Sequence, residues 1–140
     1  GDFIYSNFNQ TSAEEFVLYD FERTGYGWRS YEIATYVGHL LARSRTREPI
    51  ALYNRILDPF IEGYVSAISI YDEEIEAIPY FYLMQRIWMR ANCCKRFIDW
   101  SSSFMSPQSW KHSVANHKYW ARKFCQLWNI WFDINPYCLS

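Results

Sequence analysis

The chain has 140 residues, half of them hydrophobic and 21% aromatic. That is enough for one domain with a sizeable core, because each buried ring removes roughly 150–250 Å² from water. Its charges nearly cancel to a formal −1, unlike the strongly basic balance of a nucleic-acid binder, so no nucleic-acid partner is expected. No uninterrupted apolar run approaches the ~20 residues of a membrane span, so no membrane partner is expected either.

Residues 3–8 and 16–19 are short, apolar and aromatic, and residues 9–15 between them are polar, which predicts a small β-hairpin. Arg23-Thr24-Gly25-Tyr26-Gly27 reads as a loop whose glycines permit positive φ. From Arg29 the period becomes helical: Tyr31, Ala34, Val37 and Leu41, with Ile33 and Leu40, mark a helix up to about Arg43. Arg43, Arg45 and Arg47 form a basic turn, read as a solvated helix end. A second helical pattern runs from Pro49 through Leu52, Ile56 and Leu57. Pro59 is expected to break or kink it, since proline lacks an N–H and clashes with the preceding turn.

Asp72 is expected to cap a helix opened by Glu73, Glu74 and Glu76, acids that favour the positive end of the helix dipole. Pro79 restarts the pattern in a long helix carrying Tyr82, Leu83, Ile87, Cys94, Phe97 and Ile98, interrupted at residues 101–103. Ser106-Pro107 is an N-cap followed by proline at the first helical position. The last helix carries Trp120, Phe124, Leu127, Trp128 and Trp131 and ends at Asn135-Pro136. The expected fold class is therefore mainly α: a short β-hairpin followed by about five helices, with residues 1–140 forming a single domain.

Cys93, Cys94, Cys125 and Cys138 show neither metal spacing nor a regular disulfide framework, which predicts reduced, buried thiols and a cytoplasmic protein. His112 and His117 are five apart, off the spacing that puts two ligands on one helix face, and His39 sits in an apolar helix. All three read as surface or satisfied core histidines.

The residues that carry chemistry lie in the first twenty-two. Phosphoryl transfer needs a carboxylate near the acceptor hydroxyl and oxygen ligands that hold magnesium on the phosphates. Asp2 and Asn7, in an Asp-x-x-x-x-Asn spacing, deliver the first carboxylate and one ligand from a single loop. Asp20, closing the apolar run 16–19, supplies the second ligand, as in the catalytic loop and metal-binding Asp of protein kinases. The alternative is a hairpin with ordinary turn residues, where Asp and Asn are common.

Three segments in order favour the chemical reading. Gly1-Asp2-Phe3-Ile4-Tyr5-Ser6-Asn7 resembles the His-Gly-Asp-x-x-x-x-Asn loop of the aminoglycoside phosphotransferase and choline kinase superfamily. Tyr19-Asp20-Phe21-Glu22 resembles its Ile-Asp-aromatic-Glu segment. The run Gly25 to Ala34, with Tyr31-Glu32-Ile33-Ala34, is similar to the family's Gly-x-x-x-x-x-Tyr-Asp-Leu/Ile-Ala helix start.

The resemblance implies ATP-dependent transfer of a phosphoryl group to the hydroxyl of a small molecule, on the C-terminal lobe of a protein-kinase-like fold. It makes Asp2 the catalytic base and Asn7 and Asp20 the Mg2+ ligands. Glu32 stands where the family has Asp, a position read as structural, and the family's His falls before Gly1. No Gly-rich phosphate loop or strand lysine is present, and the family places these upstream. An N-terminal nucleotide-binding lobe outside this chain is therefore expected as its partner, with the chain inactive alone. An opening inside a motif, without an initiator methionine, agrees with that expectation.

Glu22 is a further candidate contact for metal or substrate. In this superfamily the helices after the metal segment line the acceptor pocket, and choline kinases hold a quaternary ammonium there with aromatic rings. Tyr82, Gln85 and Trp88, partly sharing one side of the long helix, are the candidates here, with cation–π attraction of about 0.5–2 kcal/mol per contact. The alternative is that these rings, like Trp120, Trp128 and Trp131, form the core. Two other functions remain: a pseudokinase-like interaction domain that keeps the acids without catalysis, and a helical binding module.

Overall fold

The computed structural model describes residues 2–43, 48–96 and 106–128. The mainly helical expectation holds: a two-stranded antiparallel hairpin precedes five α-helices among these residues. The first predicted strand starts later than its apolar run suggests. Tyr5–Asn7 forms a 3-10 turn, and strand β1 is Phe8–Gln10, paired with β2, Phe16–Leu18. Phe8 faces Leu18, Asn9 faces Val17 and Gln10 faces Phe16. The turn exists because the Asn7 N–H donates to the Ile4 carbonyl at 2.9 Å, so the chain doubles back before the strand begins.

Helix α1, Arg29–Arg43, is the centre of the packing. Ile33, Ala34 and Val37 are completely buried and Leu41 nearly so, at the i, i+3, i+4 spacing that gives one apolar face. Burying each large apolar side chain contributes about 1.5–3 kcal/mol. This face packs on α2, Pro49–Ala67, on α3, Asp72–Glu76, and on the 3-10 turn. Tyr53 and Leu57 from α2, and Ile78 and Tyr82 from the start of α4, Ile78–Arg96, complete this core.

Helix α2 does not stop at Pro59; it runs through it as one helix. Asp58, Pro59 and Arg55 are all exposed, so the Arg55 carbonyl that Pro59 leaves without its helical donor lies on the side open to water. The cap of α3 also falls one residue earlier than expected. Tyr71 is the N-cap, and Glu74 reaches back so that its Oε2 accepts from the Tyr71 N–H at 3.2 Å. Asp72 is thus a first-turn acid and not the cap.

The same Glu74 fastens α3 to α1. The Arg29 guanidinium donates to both of its carboxylate oxygens, the Nε bond being 2.9 Å long, and a third N–H donates to the Ser69 carbonyl at 2.6 Å. The Ser30 hydroxyl donates to the Glu74 backbone carbonyl, also at 2.6 Å. A fork of this kind is geometrically specific as well as attractive. Arg29 therefore pairs with an acid 45 residues away and not with Glu32, its neighbour in sequence.

By its contacts the chain divides into two compact units, Gly1–Tyr82 and Leu83–Ser140, with the boundary inside α4. In the second unit, Ser106 caps helix α5, Pro107–Trp128, as its sequence predicts: the Ser109 N–H donates to the Ser106 hydroxyl at 3.1 Å. Arg90 on α4 donates to Ser113 at 2.9 Å and to Ser109 at 3.2 Å, and lies 5.6 Å from the centre of the Trp110 ring. Among the described residues, Leu83, Trp120, Ala121 and Phe124 are the buried apolar residues of this unit.

The thiols differ from expectation. Cys93 and Cys125 are half-buried and Cys94 is exposed, all three free. Arg45, Arg47, Phe97, Ile98, residues 101–103, Trp131, Asn135, Pro136 and Cys138 lie outside the described residues. Among the described residues, no helix is long and apolar enough to cross a membrane.

Glu74 carries a pH dependence of known sign. Its hydrogen bonds from Arg29, and then from the Tyr71 backbone, hold its carboxyl below the usual range. A depressed carboxylate stabilises the fold above its unfolded pKa, about 4.3, and that contribution is lost as pH falls through the folded value. Thermal denaturation from pH 7 to pH 3 is expected to show Glu74→Gln less stable than wild type at neutral pH. The two should converge at the acid end.

Candidate functional site

Asn7 is the pivot of the opening segment. Its side chain is buried, at 6% exposure, because the 3-10 turn rolls it inward against α1. The side-chain Nδ2 donates to the Asp2 carbonyl at 2.9 Å, and the Asn7 carbonyl accepts from the Tyr19 N–H at 3.1 Å. One residue thus holds Asp2 on one side and the residue before Asp20 on the other. Tyr19 adds a second tie, its hydroxyl donating to the Ser6 carbonyl at 2.6 Å.

Aromatic packing fixes the segment from behind. Phe3 packs edge-on against Phe8 at 4.8 Å and lies 5.6 Å from Tyr36 of α1 and 6.2 Å from Phe60 of α2. Tyr36 and Phe60 are themselves 4.8 Å apart. Phe3, next to Asp2, thus anchors the loop to two helices. On the other flank, Trp28 and Tyr31 pack against Phe81 at 6.4 and 6.1 Å.

Asp20 has a φ of 66°, the one non-glycine positive φ among the described residues. The loop glycines, which permit that conformation, do not use it; no described glycine adopts it. Asp is among the few L-residues that tolerate this region, because its short polar side chain can bond locally. Sparsely populated backbone of this kind is over-represented at functional sites. Here it turns the chain out of β2 at the residue read as a metal ligand.

These segments enclose an open cavity of about 290 Å³ lined by Asp2, Phe3, Leu18, Tyr19, Asp20, Phe21, Thr24, Gly25 and Glu32. Two of the sequence-derived site residues, Asp2 and Asp20, share it, and Asn7 lies beneath, tied to both segments. Glu32 was read as structural, yet it stands on the same cavity from the first turn of α1. Its signal in the sequence was a carboxylate at a helix start directly after the acid segment. Glu22 is exposed instead and lies 4.0 Å from its neighbour Arg23. Tyr82 is part of the first unit's core at 2% exposure. Gln85 is half-buried and Trp88 is 43% exposed, both on α4 in the second unit.

The lining holds three carboxylates and a threonine hydroxyl, with no lysine or arginine, thiol or imidazole. This oxygen-only donor set suits a hard cation such as magnesium, which takes one or two carboxylates and completes its shell with phosphate and water. With Nδ2 committed to the Asp2 carbonyl, the Asn7 amide has Oδ1 left to offer. Among the described residues, no group of three or more His, Cys, Asp or Glu side chains is placed to hold a metal.

No family model matches the chain, and no solved structure matches it. It is similar to an uncharacterized protein of Deinococcus radiodurans, 26% identical over 88 residues, which are 63% of this chain and 25% of the relative. The chain spans about a quarter of the length of this curated relative.

The Asn7 clamp makes a testable demand. Asn7→Ala leaves the Asp2 carbonyl without its donor, which costs about 1–3 kcal/mol when the acceptor is part-buried. Asn7→Asp keeps the volume but turns a donor into an acceptor, so at pH 7 it should destabilise at least as much in urea denaturation. A neutral Asn7→Asp would mean that packing, and not the hydrogen bond, holds the turn.

Proposed function

We propose that this chain is the C-terminal lobe portion of an ATP- and Mg2+-dependent phosphotransferase acting on the hydroxyl of a small molecule. The observation that supports the reading best is the sharing of one cavity by Asp2 and Asp20, with Asn7 hydrogen-bonded to both of their segments. The three residues stand in the order and spacing that the phosphotransferase resemblance requires.

On this reading the Asp2 carboxylate accepts the proton of the acceptor hydroxyl and aims its oxygen at the γ-phosphorus of ATP. The new oxygen–phosphorus bond forms as the bond to ADP breaks. Asn7 and Asp20 would hold magnesium, which when bound neutralises phosphate charge. That countercharge is needed, because the carboxylates that line the cavity repel a triphosphate. Positioning and charge stabilisation carry most of such a reaction. The phosphate loop and lysine are supplied by the lobe outside this chain, so the chain alone is inactive. A nucleotide substrate of this kind implies a cytoplasmic protein.

The acceptor that fits best is a cationic alcohol such as choline or another amino alcohol. Phe3, Tyr19 and Phe21 stand on the cavity beside the acids, and rings with carboxylates attract an ammonium group.

The test is ADP release by the full-length protein with magnesium and a panel of hydroxyl acceptors. Asp2→Asn should lower kcat by roughly 10²–10⁴-fold, the usual worth of a general base. Asp20→Asn should abolish magnesium-dependent turnover. Asn is the right replacement at position 20, since it tolerates positive φ where Ala adds strain. Full activity in Asp20→Asn would overturn the proposal. Magnesium–ATP binding without turnover would leave a pseudokinase-like interaction domain in its place.

A further inference from the structure

The formal charge of −1 conceals a separation of charge between the two units. Leu83–Ser140 holds eight Lys and Arg against two Asp and Glu, a formal +6. Gly1–Tyr82 holds six Lys and Arg against thirteen Asp and Glu, a formal −7. Helix α5 concentrates the positive side: it carries Lys111, Lys118, Arg122 and Lys123 and no acid in its 22 residues. Charge asymmetry between halves of a chain is a physical signature of an anionic partner.

The cations of α5 are arranged and not merely abundant. Lys111, Lys118 and Arg122 stand at i, i+7 and i+11, which at 3.6 residues per turn confines them to an arc of about 40°. They span roughly 16 Å along the axis. The opposite face is the buried one, with Trp120 and Phe124 at 3% exposure or less, and Ala121 is buried on the flank between. Lys111 and Arg122 are exposed, and Lys118 is half-buried, as expected of a side chain whose stem packs while its ammonium reaches water. Among the described residues none of the three forms an ion pair, in contrast to Arg90, which is engaged by Ser109, Ser113 and Trp110. A row of like charges without internal partners repels itself, and a polyanion relieves that repulsion.

We propose that the exposed face of α5 docks on the phosphate backbone of a nucleic acid. Duplex DNA carries one charge per about 1.7 Å of axis, so the 16 Å row faces about ten phosphates and every cation finds a partner without a defined base sequence. A lipid surface fits less well. A helix that docks on lipid presents a continuous face of large apolar residues to it, whereas the arc around the cations carries Gln108, Ala115 and Gln126 with half-buried Val114 and Cys125; of the exposed large apolar residues of α5, Leu127 lies on another face and Tyr119 lies beneath the Lys123 ammonium, 5.9 Å from its ring centre. The inference rests on the second unit alone and does not depend on the phosphotransferase reading. It stands against the expectation drawn from net charge that no nucleic acid is a partner, and the experiment below decides between them.

Fluorescence anisotropy of the full-length protein with a labelled 20-base-pair duplex and a labelled 20-nucleotide single strand tests it. Binding should weaken with salt, the logarithm of the association constant falling with the logarithm of salt at a slope of about −3 for duplex and about −2 for single strand. Lys111→Glu with Arg122→Glu should weaken binding at least about tenfold near 50 mM salt and reduce the duplex slope by about 2. Both positions are exposed, so the helical circular dichroism should be unchanged; Lys111→Gln with Arg122→Gln should give the same direction with a smaller loss. No salt-dependent binding, or undiminished binding by both double variants, overturns the proposal. So does binding to vesicles of phosphatidylcholine with phosphatidylserine in the absence of binding to either nucleic acid.

Discussion

The candidate site depends on one buried residue that is tied to both acid segments. Asn7 is polar and almost wholly removed from water, a position that is costly unless its polar atoms are partnered. Its Nδ2 bond to the Asp2 carbonyl and its carbonyl bond from the Tyr19 N–H provide those partners, and they also join two stretches that are remote in sequence. Burial strengthens the demand for these bonds, since a part-buried carbonyl without a donor is expensive. The segments of Asp2 and Asp20 are therefore neighbours because the Asn7 side-chain amide is satisfied by one and the Asn7 backbone carbonyl by the other.

Around that pivot, the first unit divides its work between apolar and ionic contacts. The Phe3, Phe8, Tyr36 and Phe60 rings hold the acid loop to α1 and α2 through area and shape, with edge-on geometry at the closest pair. The Arg29–Glu74 fork does something area cannot: it sets the rotation of α1 against the short helix α3, because a planar guanidinium meets both carboxylate oxygens in one orientation. Together these contacts put Glu32 on the cavity. A carboxylate that resembled a structural substitution becomes a third acid facing the same space.

Charge has a different meaning at different scales in this chain. Averaged over 140 residues it nearly vanishes. Divided at the unit boundary it separates into opposite signs, and along α5 it narrows to one face of one helix. The finer scales carry more information than the average, because a ligand meets a surface and not a composition.

The sequence alone was enough for whatever depends on near neighbours. The helical period of α1, the Ser106 cap, the hairpin and the acid spacing were legible because each is set by residues a few positions apart. What failed locally failed for tertiary reasons: α2 passes through Pro59 because its open carbonyl side faces water, and Glu74 serves as both cap partner and ion-pair acceptor because α1 brings Arg29 to it. The removal of Tyr82 to the core, the exposure of Cys94, the positive φ at Asp20 and the place of Glu32 on the cavity likewise depend on contacts between distant segments. Propensity and spacing decide which elements form; packing decides which side chains share a space, since that is a property of three-dimensional neighbours that no local pattern contains.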